Sequence, residues 1–329
     1  MTASPTDALP AALPFISIVM PTRNRAHLLT QALHAIAAQT FSRFEVIVLD
    51  DASDAATAAD YPTLWASLDS RFILHRLGQP GGRGLGPSVT RNAGIALARG
   101  EVIAFCDDDD LWTAAGHLAA VAAVFATQPE VDMYIANQIG VSSRGTDIAH
   151  WLPKLRCAAG GGLVTVDALC SAGGFAHLNI LSVRKAPVLQ AHGFWERVSY
   201  EEDRDFFWRT LDCCRQIHFN PTIVAQHNIP DAKRADNQST QHSVVERWLL
   251  AVLVCQHIST TVRHPAIGAL ARRYEGDILR KLTTYLLHAG QRSLGFAFAQ
   301  RALAARFSFK WSAYLMLLAI KSLLPQKAV

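Results

Sequence analysis

The spacing of apolar and polar positions over roughly the first 140 residues predicts strands and helices in alternation. Short apolar runs predict strands at residues 15–20, 44–49, 71–77, 102–106 and 131–136. Helical spacing of apolar residues separates them, at residues 26–39, 61–68, 88–98 and 113–127. Pro21 is expected to end the first strand, because proline cannot donate to a sheet ladder. This alternation favours an α/β fold with a mostly parallel sheet flanked by helices.

The pattern changes in the second half of the chain. Residues 142–199 are irregular and rich in glycine, whereas residues 201–214 and 241–324 have helical spacing, with breaks near His264 and Gly290. An apolar stripe in the last region predicts helix-on-helix packing and consists of Leu279, Leu282, Leu286 and Leu287. We therefore expect an N-terminal tail (residues 1–14), an α/β domain (residues 15–235) and a C-terminal helical region (residues 236–329).

Composition excludes several classes of protein. The chain has 329 residues, of which 50% are hydrophobic and 18% charged, so a large core is expected and disorder is not. The six cysteines form no Cys-x-x-Cys pair, which favours reduced, buried thiols over disulfides or a zinc site. The N-terminus lacks the pattern of a signal peptide, and no apolar run reaches the ~18 residues that a spanning helix needs. These features predict a cytoplasmic protein.

Charge is unevenly distributed. The net charge is +4, but residues 260–329 contain eleven basic and two acidic residues, a local excess of +9. Such a tail suggests an anionic lipid, a phosphate-bearing acceptor or nucleic acid as partner. Nucleic acid fits poorly, because the basic residues are scattered over helices without aromatic positions between them. Aromatic and aliphatic residues flanked by lysines at 307–324 predict peripheral docking on anionic membrane, and a core-packing helix is the alternative.

Four consecutive aspartates, residues 107–110, directly follow the fourth predicted strand. Carboxylates at the end of a buried strand repel one another and lose hydration, so a divalent cation such as Mg²⁺ is an expected partner. In a parallel sheet, the loops after the first, second and fourth strands should meet at one edge. That edge would bring Thr22 and Asp51 to the aspartates. The alternative is a solvated acidic turn that caps the next helix.

The glycines at residues 81–86 do not form a dinucleotide-binding fingerprint. Their spacing differs from Gly-x-Gly-x-x-Gly, and they follow the third predicted strand instead of the first. We expect a mobile loop here.

Several motifs, taken in order, resemble the inverting family 2 glycosyltransferases. They are PTRNR (residues 21–25), QT (39–40), EVIVLDDAS (45–53), RNAGI (91–95), ARGE (98–101), FCDDDDLW (105–112) and, further along, YEEDRDFFWR (200–209). The resemblance covers residues 15–231 and implies the Rossmann-like GT-A fold. Departures are Cys106 in place of the common Leu, Ala52 in place of Gly, and Arg204 in place of Trp.

The resemblance also implies roles for individual residues. The donor nucleotide, usually that of a UDP-sugar, would be held by Pro21, Thr22, Arg23, Asp51, Arg91, Asp107 and Asp108. Asp109 would be the main ligand of Mg²⁺ or Mn²⁺, and His227 a second one. Because the run of aspartates does not set its own register, Asp108 and Asp110 can take over these roles.

A second group of residues would act on the acceptor. Asp203 falls at the position of the catalytic base, which must take the proton of the attacking hydroxyl. Glu202 and Trp195 are expected beside the acceptor. Without the resemblance, Glu201, Glu202 and Asp203 are better explained as an acidic helix N-terminus favoured by the macrodipole.

The resulting hypothesis is a metal-dependent hexosyltransferase that builds a surface polysaccharide or glycoconjugate. It would move a sugar to a hydroxyl of a glycan or lipid-linked acceptor on the cytoplasmic side of the membrane. Two alternatives remain: a catalytically inactive nucleotide-binding scaffold that acts through its basic helical tail, and a metal-dependent phosphohydrolase.

Overall fold

The computed structural model describes residues 14–158, 160–229 and 242–323. The strands in these ranges are β1 (Ile16–Thr22), β2 (Phe44–Asp51), β3 (Phe72–Leu77), β4 (Val102–Phe105), β5 (Leu111–Trp112), β6 (Val131–Ser142), β7 (Gly145–Ile148), β8 (Gly162–Val164), β9 (Leu181–Arg184) and β10 (Gln216–Asn228). They form one mixed sheet in the order β3-β2-β1-β4-β9-β6-β10-β5, with β7 beside β6 and β8 beside β10.

The helices in the described ranges are α1 (Ala26–Ala37), α2 (Ala55–Ala66), α3 (Pro87–Leu97), α4 (His117–Thr127), α5 (Val166–Ala172), α6 (Lys185–Gln190), α7 (Glu202–Asp212), α8 (Val244–Thr261), α9 (Pro265–His288), α10 (Arg292–Ala305) and α11 (Phe309–Leu323). A single 3-10 turn in the same ranges spans Leu178–Ile180. The mixture of a central sheet and surrounding helices confirms the predicted α/β class.

Four neighbouring strands, β3, β2, β1 and β4, are parallel. All residues of β2 and β4 are buried, so both faces of the sheet are covered there. Thr22 lies in register with Asp50, and Val19 with Phe105. The carboxyl ends of β1, β2 and β4 therefore share one edge of the sheet, as predicted.

Pro21 does not end β1, and that prediction was wrong. The strand continues to Thr22, with Pro21 opposite Leu49 of β2. β4 ends opposite Val19, so no ladder partner on that side requires an N–H from the proline.

Two helix starts also differ from the prediction. α2 begins at Ala55, six residues before the predicted start, because the Asp54 carboxylate accepts a hydrogen bond of 2.8 Å from the Thr57 backbone and caps the helix. α4 begins at His117 instead of residue 113, because Leu111–Trp112 pair with β10 as a short antiparallel strand.

The middle of the chain is more regular than its pattern suggested. β9, from within residues 142–199, inserts antiparallel between β4 and β6. Periodicity did not identify this strand, because it is four residues long and its partners are distant in sequence.

The C-terminal helices pack on one another and on α7. Leu279, Leu282 and Leu286 are buried and Leu287 is partly buried, which confirms the predicted packing stripe. His264 caps α9, and Gly290, with φ of 77°, follows it. Within the described ranges, no helix is long and apolar enough to cross a membrane. The expected boundary at residues 235–236 and the tail at residues 1–13 lie outside the described residues.

Candidate active site

The loop after β1 contacts the aspartates that follow β4. The Thr22 hydroxyl donates to Asp108 Oδ2 at 2.7 Å. Arg25 Nη1 lies 3.1 Å from Asp108 Oδ1 and 3.2 Å from Asp109 Oδ2. Thr22 is the last residue of β1, so the parallel register of the two strands brings these groups together. The structure thus joins Thr22 to the acidic run.

Arg91, from α3, links the acidic run to α7. Its Nη2 is 2.7 Å from Asp107 Oδ1, and its Nη1 is 3.1 Å from Glu202 Oε1. The Arg91 side chain is only 7% exposed, so both ion pairs are shielded from water. Burial acts to raise the pKa of the Asp107 carboxyl, but the positive charge of Arg91 outweighs the effect of burial, so the pKa is lowered. One guanidinium therefore connects the two groups of residues that the sequence placed about a hundred positions apart.

Asp203 lies in the first turn of α7, next to Glu202. Its Oδ1 accepts a hydrogen bond of 2.7 Å from the Arg204 backbone. Burial raises the pKa of Asp203, with Arg204 acting in the opposite direction. Asp203 is close enough to Arg91 to favour the charge of that guanidinium. The predicted base and the acidic run therefore share one electrostatic environment.

A candidate metal centre lies on the other side of the acidic run. Asp110 is fully buried, His227 Nδ1 lies 3.0 Å from both of its carboxylate oxygens, and the Asn228 backbone donates to it at 2.8 Å. His177 Nδ1 lies 3.8 Å from Asp110 Oδ2, and Trp151 packs edge-on against both imidazoles. One ligand atom from each of Asp110, His177 and His227 lies within 4.8 Å of the others. Two imidazoles and one carboxylate suit a transition metal such as Mn²⁺ better than Mg²⁺, which prefers oxygen ligands.

The electrostatics of this cluster also suit a cation. Burial and then the neighbouring carboxylates raise the pKa of Asp109 to about 8. Burial, opposed by Arg25, raises the pKa of Asp108 to about 6. Burial lowers the pKa of His177 to about 4, which favours the neutral imidazole that a metal ligand must be. At His227 the effect of burial is outweighed by Asp110, which raises the pKa to about 9, so this imidazole would have to lose a proton to bind a metal. The carboxylates are crowded enough that added positive charge would stabilise them.

Asp51 and the glycine loop form a third part of the site. Asp51 accepts hydrogen bonds from the Leu85 backbone at 2.6 Å and the Gly86 backbone at 2.9 Å, and Arg23 donates to the Gly82 carbonyl at 2.8 Å. A Cβ at Gly84 would collide with both Arg23 and Asp51. The backbone of the loop at residues 81–86 is therefore packed onto Asp51. The sequence had predicted only that this loop is mobile.

Two of the predicted site residues lie elsewhere than expected. Asp109 is not part of the candidate metal centre, since its carboxylate pairs with Arg25. Trp195 stacks on His257 of α8 with ring centroids 3.8 Å apart, in a cavity of about 410 Å³ whose lining includes none of the four aspartates.

Sequence reasoning assigned no role to Arg25, His177 or Asn228. Arg25 lies inside the motif at residues 21–25 and could have been found there. His177 could not, because it comes from the irregular segment and reaches the site through the 3-10 turn.

Residues 17–175 match the model of glycosyl transferase family 2. A Campylobacter jejuni GalNAc(5)-diNAcBac-PP-undecaprenol beta-1,3-glucosyltransferase is 37% identical over 98 residues, 30% of this chain and 30% of that protein. The Escherichia coli UDP-Glc:alpha-D-GlcNAc-diphosphoundecaprenol beta-1,3-glucosyltransferase WfgD is 32% identical over 99 residues, 30% of this chain and 36% of that protein. The chain thus spans about a third of the length of these curated relatives.

Solved structures show the same fold. Staphylococcus aureus TarS 1-349, in complex with UDP-GlcNAc, superposes with a TM-score of 0.61 at 18% identity, over 92% of this chain and 79% of TarS 1-349. The mannosyltransferase PcManGT of Pyrobaculum calidifontis, in complex with GDP-Man and Mn²⁺, gives a TM-score of 0.57 at 19% identity, over 96% of this chain and 82% of that one. Residues 17–175 therefore belong to glycosyl transferase family 2, and the chain has the GT-A fold.

Proposed function

We propose that this protein is an inverting hexosyltransferase that moves a sugar from a nucleotide-sugar donor to a hydroxyl of a glycan or lipid-linked acceptor. The observation that carries the proposal is the bridge through Arg91, which joins Asp107 of the acidic run to Glu202 beside Asp203. This bridge supports the assignment of the proposed donor-side and acceptor-side groups to a single site.

The donor side would consist of Pro21, Thr22, Arg23, Asp51 and Arg91, together with Asp107 and Asp108. A UDP-sugar is the proposed donor, because TarS was solved with UDP-GlcNAc and WfgD is named for UDP-Glc. The GDP-Man complex of PcManGT makes GDP-sugars the natural comparison in a binding assay.

A divalent cation would be held by Asp110, His177 and His227, whose two imidazoles favour Mn²⁺ over Mg²⁺. When bound, such an ion supplies electrostatic stabilisation for the diphosphate that leaves the sugar. We place Asp109 near this ion but not among its ligands, because the Asp109 carboxylate is paired with Arg25 at 3.2 Å.

On the acceptor side, Asp203 would take the proton of the attacking hydroxyl as the new glycosidic bond forms. A partly buried carboxylate with a raised pKa is a stronger base than an exposed one, which suits this task. Glu202, held by Arg91, would fix the first turn of α7 relative to the donor. A single displacement at the anomeric carbon, through an oxocarbenium-like transition state, inverts its configuration.

Binding of the donor tests the first half of this proposal. A thermal-shift panel of UDP-, GDP-, CMP- and dTDP-sugars, with and without Mn²⁺, should give its largest stabilisation with a UDP-sugar and the metal. Phosphate release from simple phosphoesters, with no response to any nucleotide sugar, would instead identify a phosphohydrolase.

Turnover tests the second half. Asp203→Asn should lower kcat at least a hundredfold, about the contribution of general base catalysis, while donor affinity stays near that of the wild type. Asp167→Asn is the matched control, because Asp167 is also an acidic residue in the first turn of a helix, α5, and is exposed. Donor binding without transfer to a broad set of acceptors would favour the inactive-scaffold alternative.

Peripheral membrane contact on the cytoplasmic side is the proposed location. Phe309, Met316, Leu317 and Ile320 recur on one face of α11 and are 83%, 67%, 57% and 56% exposed. The sequence from residue 292 to residue 323 has five basic and no acidic residues, so anionic lipid would complement this face. The last residue of the predicted docking segment, 324, lies outside the described residues.

Sedimentation with vesicles of phosphatidylglycerol or phosphatidylcholine tests this location. Replacing Met316 and Leu317 by Ser should reduce pelleting with the anionic vesicles severalfold. The matched control replaces Leu163 and Leu189, which are 56% and 55% exposed elsewhere, and should leave pelleting unchanged. Equal pelleting of both variants would show that α11 is not the membrane contact.

A further inference from the structure

Glu201, the residue before α7, has an unusual backbone. Its φ of 56° and ψ of 28° lie in the left-handed region, which residues other than glycine rarely adopt. Its carboxylate also makes no capping hydrogen bond to α7, of the kind that Ser, Thr, Asp or Asn usually makes at this position. Both features are unfavourable by themselves, so other contacts must hold Glu201 in place.

Those contacts come partly from the C-terminal helices. The Tyr274 hydroxyl, on α9, donates to Glu201 Oε1 at 2.7 Å. Arg204 Nε donates to Glu201 Oε2 at 3.0 Å. Each carboxylate oxygen of Glu201 is thus engaged by a different residue, and the carboxylate is turned toward α9 instead of toward the amides of its own helix.

Arg204 is itself held by two aromatic rings. Its guanidinium carbon lies 4.4 Å from the ring centroid of Phe175 and 4.5 Å from that of Tyr274. Its side chain is 22% exposed, so these contacts are largely desolvated and correspondingly strong. Tyr274 therefore holds Glu201 in two ways: directly through its hydroxyl, and indirectly by packing against Arg204.

We propose that Tyr274 is a positioning residue, which holds Glu201 in its left-handed conformation and thereby sets the place of Asp203. Only Glu202 separates Glu201 from Asp203, so a change of φ at Glu201 would redirect the first turn of α7. The inference rests on the proposed role of Asp203 as the base. It assigns to the C-terminal helices a part in the reaction that residues 17–175 do not contain.

Tyr274→Phe tests the proposal, because it removes the hydroxyl and keeps the ring over Arg204. We expect kcat to fall about tenfold, because reacting groups misplaced by a fraction of an ångström lose rate steeply. The KM for the donor should change less than twofold, since the donor side does not involve α9. Tyr285→Phe is the matched control on the same helix, since the Tyr285 hydroxyl has no hydrogen bond to any residue in the described ranges.

A second background shows whether Tyr274 acts through Glu201. In Glu201→Gly, the backbone adopts the left-handed conformation without strain and there is no carboxylate to hold. Adding Tyr274→Phe to that variant should lower kcat less than twofold. An equal fall in both backgrounds, or no fall in the single variant, overturns the proposal.

Hydrogen exchange separates this proposal from the proposed function. Amides in residues 199–206 should exchange faster in Tyr274→Phe than in the wild type or in Tyr285→Phe. If the wild type transfers no sugar, the proposed function fails, and the exchange result still decides whether Tyr274 holds the start of α7. Unchanged exchange in this segment refutes the positioning role of Tyr274 even if kcat falls.

Discussion

Replacing Arg91 should reveal how much the bridge between the two halves of the site contributes to stability. Arg91 is 7% exposed and pairs with Asp107 and Glu202, which are 20% and 15% exposed. Arg91→Ala leaves two largely buried carboxylates without their cation, a loss of about 3–5 kcal/mol in the free energy of unfolding. Arg91→Lys keeps the charge but has a single ammonium that reaches one carboxylate at a time, and should cost about 1.5–3 kcal/mol.

Urea unfolding followed by circular dichroism measures these differences. Arg71→Lys is the control, because its pair with Asp69 is an exposed one, with side chains 28% and 51% exposed, and should change stability by less than about 1 kcal/mol. Burial separates the control from both Arg91 variants, and the charge that Lys retains separates Arg91→Lys from Arg91→Ala. If the free energy of unfolding of Arg91→Ala lies within about 1 kcal/mol of that of the wild type, the two ion pairs of Arg91 do not stabilise the protein as argued.

Three further outcomes are expected. Burial of Glu45 acts to raise the pKa of its carboxyl, but hydrogen bonds from Ser17 and Arg99 outweigh burial and lower that pKa. The ionised carboxylate therefore stabilises the folded state above the ordinary pKa of about 4.3, and this stabilisation is lost as pH falls through the lower pKa of the folded state. The stability difference between wild type and Glu45→Gln should therefore shrink below about pH 4 in urea titrations, and a constant difference would contradict this. Gly84→Ala should weaken donor binding at least tenfold by calorimetry, because its methyl group displaces Asp51, whereas retained affinity would separate Asp51 from the donor site. His177→Gln should weaken Mn²⁺ binding at least tenfold in a calorimetric titration, and wild-type affinity would remove His177 from the metal centre.

The parallel half of the sheet could be predicted from the sequence because its strands are continuous buried runs. β1, β2 and β4 were each identified to within two residues, since a strand covered on both faces must be apolar throughout. The convergence of their loops then followed from the geometry of parallel strands. β9 could not be found in this way, because its place between β4 and β6 depends on contacts across the whole domain.

The candidate site likewise contains residues that the sequence identified and contacts that only the structure revealed. Thr22, Arg91 and the four aspartates were identified from local motifs at the ends of predicted elements. The pairing of each aspartate was not, because four identical residues in succession carry no signal of where each side chain points. The fold turns Asp107 to Arg91, Asp108 to Thr22 and Asp110 to His227.

The amino-acid sequence by itself therefore determined the α/β class, the shared edge and the family, because hydrophobic period and short motifs are local properties. Tertiary structure alone decided that His177 joins the candidate metal centre and that Tyr274 reaches Glu201 from seventy-three positions away. Contacts of that kind depend on how helices and strands pack in three dimensions, and packing leaves no periodic trace in the chain.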